Sequence, residues 1–200
     1  YGNLKLFGLA ARYNCKHFIF ASSGAVYKPK VGRHIETDEI ESSDVYSATK
    51  ILAEAQLKKS SEDFNVKVTV LRFFNIVGKY DYTPHLIPDI VDQILDKELT
   101  KIRLGNLTTI RDYIHVDTIC DVLEKFIESK PTYHIEEFNV GTGNGCNGAQ
   151  IFDEIKNIAK SNKERIEDKS RFRRSDRPSQ LANPDKLRSQ ISVNSEDTLI

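Results

Sequence analysis

Tyr46 and Lys50 stand four residues apart in the run YSATK, a spacing that on a helix puts both side chains on one face. An ammonium beside a phenol favours the phenolate and brings a pKa that starts near ~10 toward a useful range. A tyrosine tuned this way can serve as a general base. The spacing alone also describes a surface tyrosine lying over a lysine stem. Ser22 and Ser23 add hydroxyls, Ser23 lying 23 residues before Tyr46. They follow the apolar run HFIFA, where a strand would end, and ligands of open α/β sheets bind at that carboxyl edge. From there a hydroxyl can share a hydrogen bond with the substrate oxygen that Tyr46 deprotonates. The competing reading is a tight Ser-Ser-Gly loop.

The flanking pattern supplies elements that would position these groups. Residues 3–13 predict an amphipathic helix stopped by Asn14, and KHFIFASSG predicts a buried parallel strand and its loop. Residues 28–43, with Pro29, Gly32 and several acids, read as an irregular loop. Ser43 or Asp44 caps a helix predicted over 45–60, and VKVTVLRFFN over 66–75 is a strand by its β-branched content. The order helix, strand, helix, strand is that of a doubly wound α/β sheet. Beyond it the pattern predicts a helix at 88–97 after Pro84 and Pro88, and a strand at 110–116. A helix at 117–128, a strand at 137–143 and a helix at 149–161 follow, then a charged stretch at 162–180 whose RFRRSDR is the only basic cluster. The fold class expected is α/β: the C-terminal part of a doubly wound, Rossmann-like parallel sheet over 1–76, with a mixed, mainly substrate-binding region over 77–200.

Composition narrows the function. The chain has 200 residues, 29 basic and 29 acidic, so bulk charge gives no grip on a polyanion and argues against nucleic acid or a membrane as partner. No apolar window approaches the ~18 residues of a membrane span. Cys15, Cys120 and Cys146 are odd in number and free of C-x-x-C spacing, which reads as reduced thiols without a disulfide framework or zinc site. No charged-then-apolar leader opens the segment, and the expected location is cytoplasmic. The histidines have no ligand spacing, so no metal is expected. Gly141-x-Gly143-x-Gly145 lacks the complete dinucleotide pattern, and Asn106-Leu-Thr is a formal sequon without consequence in a cytosolic chain.

Six motifs in order, HFIFASSGAVY, YSATK, VTVLRFFNIVG, IRDYIHVDT, FNVGTG and FRRSD, resemble the extended short-chain dehydrogenase/reductase family. The resemblance spans residues 1 to about 184 and is greatest to UDP-glucose 4-epimerase and related NAD-dependent nucleotide-sugar epimerases. It implies that Ser23 and Tyr46 are the catalytic hydroxyls and that Lys50 tunes Tyr46 and holds the nicotinamide ribose of NAD. Phe74 would touch the nicotinamide, and Ser23 and Tyr46 would border it. Asn75 would contact the sugar nucleotide, as would His85 and Leu86, with His85 standing where epimerases carry an asparagine. Arg111 and Arg173 would meet the diphosphate, a task suited to planar guanidinium forks, and Asp176 would hold the uridine ribose. Gln180 occupies the position that limits room around the sugar's 2-substituent, intermediate between bulky residues that suit plain hexoses and small ones that admit N-acetylated sugars.

The residues after Ser23 help to choose the reaction. Dehydratases of the family carry Asp-Glu there, because loss of water needs an extra acid and base, and related decarboxylases tend to keep a glutamate. Gly24 and Ala25 can do neither. The expected function is therefore epimerisation at C4 through a 4-keto sugar, with a uronate epimerase, a decarboxylase or a non-catalytic nucleotide-binding relative as alternatives. The family's pyrophosphate-binding glycine loop would precede Tyr1 by about a hundred residues. The expectation is thus of a fragment that exposes an unpaired sheet edge and binds NAD poorly alone. A homodimer through helices at 1–13 and 45–60 is expected on the same resemblance.

Overall fold

The computed structural model describes residues 2–172 and 177–192. Along the chain run α1 (Gly2–Arg12), β1 (His17–Ser23), β2 (Arg33–His34), α2 (Val45–Phe64), β3 (Lys67–Phe73) and β4 (Asn75–Val77). Next come α3 (Leu86–Leu95), β5 (Lys101–Leu104), β6 (Ile110–Arg111), β7 (Tyr113–His115), α4 (Val116–Glu128) and β8 (Ile135–Val140). The last are β9 (Cys146–Asn147), α5 (Gly148–Ile158), β10 (Glu164–Glu167), β11 (Ser179–Ala182) and α6 (Asp185–Gln190).

The central sheet is parallel, in the order β1-β3-β8. Strand alternation divides its side chains between two layers. Phe20, Val68 and Val70 pack with Phe7 of α1 and with Ala53 and Leu57 of α2. Leu71 and Phe73 point the other way, onto Ile119, Val122 and Phe126 of α4 and Leu187 of α6. Helices therefore cover both faces, and β3 is buried without interruption from Val68 to Phe73, the pattern of a central strand in a parallel α/β sheet. A second core forms where α3 and α5 close over β5, around Ile90, Ile94, Ile102, Leu104, Ile151 and Phe152. A small sheet, β2-β11-β6-β9, joins the loop after β1 to the C-terminal segment. Among the described residues no helix is long and apolar enough to cross a membrane.

Several boundaries differ from the sequence pattern for definite reasons. The strand expected over 66–75 is two strands in two sheets. The chain leaves the central sheet at Phe74, whose N–H donates to Val140 O at 3.1 Å, and β4 pairs with β7 instead. The strand expected over 110–116 likewise divides at Asp112, β6 joining β11 and β7 joining β4. Helix α3 starts at Leu86, ahead of Pro88. A proline fits in a first turn, where its missing N–H would have no intrahelical partner anyway. The charged stretch at 162–180 contributes β10, which pairs with β5, and the start of β11.

Helix α2 owes its start to a reciprocal cap. The Asp44 carboxylate accepts from Ser47 N at 2.7 Å, and Ser47 Oγ accepts from Asp44 N at 3.1 Å. Asn65 closes the helix in the left-handed region, φ 52°. The Ser47 amide holds the Asp44 carboxyl below the usual carboxylate range. A depressed folded value means that the cap contributes fully above the unfolded pKa near ~3.9 and fades as pH falls through the folded value. Asp44→Ala is expected to cost about 1 kcal/mol at pH 7. Urea unfolding should show the gap between variant and parent narrowing below pH ~3.

Candidate active site

A cleft of about 1080 Å³ is bordered by Ser23 and Phe73, the last residues of β1 and β3. The carboxyl edge of the sheet therefore faces the cavity, as the strand-loop pattern requires. Ser23, Tyr46, Phe74, Asn75, His85, Leu86, Arg111 and Gln180 all line it. Lys50 stands just behind that wall. Its Nζ donates to Ala21 O at 2.8 Å and lies 5.7 Å from the centre of the Tyr46 ring. Arg173 and Asp176 fall outside the described residues.

Each lining group is held by a local device. Ser23 caps the 3-10 turn Gly24–Val26, its Oγ accepting from Ala25 N at 3.1 Å, so its own hydrogen remains available for a ligand. Tyr46 is the second residue of α2 and 54 % exposed, and among the described residues its phenolic oxygen has no protein partner. Phe74 is almost buried, its ring lying 3.0 Å from where a Cβ on Gly24 would sit. Asn75 is fixed by its N–H on Asp112 O, 3.0 Å away. His85 ends the approach to α3 without a capping hydrogen bond from its side chain, and Leu86 opens the helix. The Arg111 guanidinium donates to Ile110 O at 2.9 Å and Arg177 O at 2.8 Å, and Gln180 sits beside Arg111 in register on β11.

Asp112 ties these walls together from behind. Wholly buried, its carboxylate accepts from Thr142 N, Thr142 Oγ1, Gly143 N and Ala182 N at 2.7–3.1 Å. Its backbone serves β4 on one side and accommodates β11 on the other, where its N–H donates to Gln180 O at 3.1 Å. Gly141 presses so closely on this carboxylate that an added Cβ would lie 2.7 Å from Oδ2.

Sequence reasoning missed part of the lining. Arg171 Nη1 forms a 2.6 Å ion pair with Asp89 Oδ2, and both residues border the cleft with Asn106 and Thr109. The available signal was the position of Arg171 at the head of the RFRRSDR run. Asn106, set aside as a sequon, accepts from Thr108 N at 3.0 Å and so shapes the loop that lines the cleft. Among the described residues no cluster of three or more His, Cys, Asp or Glu could hold a metal.

A parallel sheet covered on both faces, with a tyrosine and a serine lining the cleft at its carboxyl edge, is a Rossmann-like arrangement. Residues 1–141 match the NAD dependent epimerase/dehydratase family, and the chain belongs to it. It is similar to the UDP-glucose 4-epimerase of Mycoplasma genitalium, 31% identical over a 159-position alignment that covers 70% of this chain and 46% of the relative. It is also similar to the GDP-6-deoxy-D-talose 4-dehydrogenase of Aggregatibacter actinomycetemcomitans, 32% identical over 60% of this chain and 40% of the relative. Among solved structures, a UDP-N-acetylglucosamine 4-epimerase from Methanobrevibacter ruminantium M1, in complex with UDP-N-acetylmuramic acid, superposes with a TM-score of 0.86 at 27% identity. That alignment covers 97% of this chain and 63% of the neighbour. The chain thus spans about half the length of the curated relatives it matches.

Replacing the Asp112 carboxylate by an amide would turn an NH₂ toward N–H donors that now have an acceptor. Asp112→Asn is therefore expected to destabilise the chain by about 1–3 kcal/mol, read as a lower urea midpoint with an unchanged slope. An unchanged midpoint would contradict the structural role given to this side chain.

Proposed function

We propose that the chain carries the catalytic and sugar-nucleotide side of an NAD-dependent 4-epimerase acting on a nucleotide sugar of the UDP-glucose/UDP-galactose type. The observation that carries this reading is the placement of Ser23 and Tyr46 on the wall of one cleft that also holds Asn75, Arg111 and Gln180. The available phenol and serine hydroxyl suit a sugar hydroxyl, and the guanidinium beside Gln180 suits a diphosphate.

Tyr46, Lys50, Ser23 and Phe74 are the groups that would hold the nicotinamide riboside of NAD. Their fit rests on the flat, nearly buried Phe74 ring seated on Gly24 and on an ammonium anchored to the backbone of β1 beside the tyrosine. When bound, NAD supplies a reversible hydride acceptor. The protein's own work is proton handling and orientation. Tyr46 takes the proton from the sugar 4-hydroxyl and later returns it, and Ser23 donates a hydrogen bond to the same oxygen. The cleft gives a flat 4-keto sugar room to present either face before it is reduced.

The geometry around Gly24 supports simple oxidation and re-reduction over dehydration. A longer side chain at residue 24 would meet the Phe74 ring, and at residue 25, which borders the cleft, Ala offers neither acid nor base. Leu4, Leu6 and Leu9 of α1 and Leu52 of α2 are exposed, which supports the homodimer through these two helices.

The test uses the protein expressed with any coding sequence upstream of Tyr1. UDP-galactose should be converted to UDP-glucose, with Tyr46→Phe lowering kcat roughly 100-fold or more and Ser23→Ala less. Conversion of UDP-glucuronate instead would replace the hexose reading with the uronate one. Binding of UDP-sugars with no product would favour a non-catalytic relative.

A further inference from the structure

Below the catalytic wall lies a buried ion pair that the reaction does not use. Glu54 sits two turns after Tyr46 and one turn after Lys50, on the same face of α2. Both of its oxygens are committed inside the protein. Oε1 accepts from Ser22 Oγ at 2.5 Å and from Arg72 Nε at 3.1 Å, and Oε2 accepts from Arg72 Nη2 at 2.7 Å. Arg72 is 2 % exposed and Glu54 7 %. The remaining guanidinium nitrogen donates to Tyr27 Oη at 2.9 Å and Glu36 O at 3.0 Å, and Tyr27 Oη donates to Asn139 Oδ1 at 2.7 Å.

The location of this pair gives it a second consequence. Ser22 immediately precedes Ser23 on β1, and Arg72 is its register partner on β3, two residues before Phe74. By alternation Ser22 and Arg72 face α2 together with Phe20, Val68 and Val70. Helix α2 is thus pinned to the sheet by two neighbouring polar contacts. Lys50 holds Ala21 O, and Glu54 holds Ser22 and Arg72. Tyr46 has no side-chain anchor of its own, so its location relative to Ser23 follows from where those contacts seat the helix.

We propose that Glu54, Arg72 and Ser22 are positioning residues for the proposed reaction: together they set the height and rotation of α2 over β1 and so the separation between the Tyr46 phenol and the Ser23 hydroxyl. This rests on Tyr46 and Ser23 acting as the proposed function has them. An apolar helix-sheet seam would hold α2 equally well against unfolding but would allow sliding along the strand. Directional charge-assisted hydrogen bonds to one residue on each strand do not. Reacting groups displaced by about 1 Å can lose roughly 100-fold in rate.

Two gentle variants test this in the protein expressed with any upstream coding sequence. Glu54→Asp keeps the charge but retracts the carboxylate, and Ser22→Ala keeps the ion pair but cuts the pin to β1. Both are expected to lower kcat roughly 10- to 100-fold with KM within about threefold. Backbone amide exchange should quicken at residues 21–23 and 46–50 while the buried amides of β3 stay protected. Normal kcat in the folded protein, whatever its melting temperature, would mean that the pair is merely structural and would overturn the proposal. So would unchanged exchange at those two segments. If the unsubstituted protein turns over no sugar nucleotide, the reaction reading has failed, and the exchange data alone decide whether the pair positions α2.

Discussion

A guanidinium buried between a helix and a parallel sheet is the constraint around which this chain is arranged. Arg72, near the carboxyl end of β3, is shut off from water between strand and helix, and an unpaired cation there would be prohibitively costly. Glu54 satisfies it from α2, while Tyr27 and the Glu36 carbonyl satisfy it from the loop after β1. Burial lowers the affinity of Arg72 for its proton, but the Glu54 and Tyr27 contacts more than restore it, so the guanidinium stays charged. The same burial pushes the Tyr27 phenol up to about 12, which keeps it a neutral donor to Asn139. Three segments, β3, α2 and the loop after β1, thus meet at one cation beneath the residues that line the cleft.

The second organising carboxylate is Asp112. It gathers the turn after β8 and the end of β11 around the point where the chain passes from β6 to β7. Arg111 on one side of it and Gln180 across from it are thereby held at one wall of the cleft. The two carboxylates divide the labour: Glu54 seats the helix that carries the proposed base, and Asp112 seats the strands that carry the proposed sugar-nucleotide contacts.

Much of this was legible in the sequence because it depends on local spacing. The i, i+4 relation of Tyr46 and Lys50, the Asp44 cap, the αL stop at Asn14 and the strand leading to Ser23 are all written within a few residues. What was not legible depends on register and topology. Nothing in VTVLRFFNIVG says that the chain changes sheets at Phe74, because β-branched and aromatic residues continue on both sides of the switch. The pairing of Glu54 with Arg72 spans 18 residues and exists only because α2 lies against the face to which even-numbered residues of β3 point. Arg171 and Asp89 are 82 residues apart and meet only where α3 and the segment after β10 close over the cleft.

In the reaction proposed for this chain, the C4 hydrogen of a nucleotide sugar is removed and returned within one site, with Tyr46 handling only the hydroxyl proton. The most direct measurement is to run the reaction of the protein, expressed with any upstream coding sequence, on UDP-galactose deuterated at C4, in ordinary water. Mass spectrometry of the UDP-glucose formed should find the deuterium retained, and Tyr46→Phe should slow its formation without altering that retention. Product that has exchanged its C4 deuterium for solvent hydrogen would contradict the account, because it would require proton abstraction from carbon in place of internal hydride return.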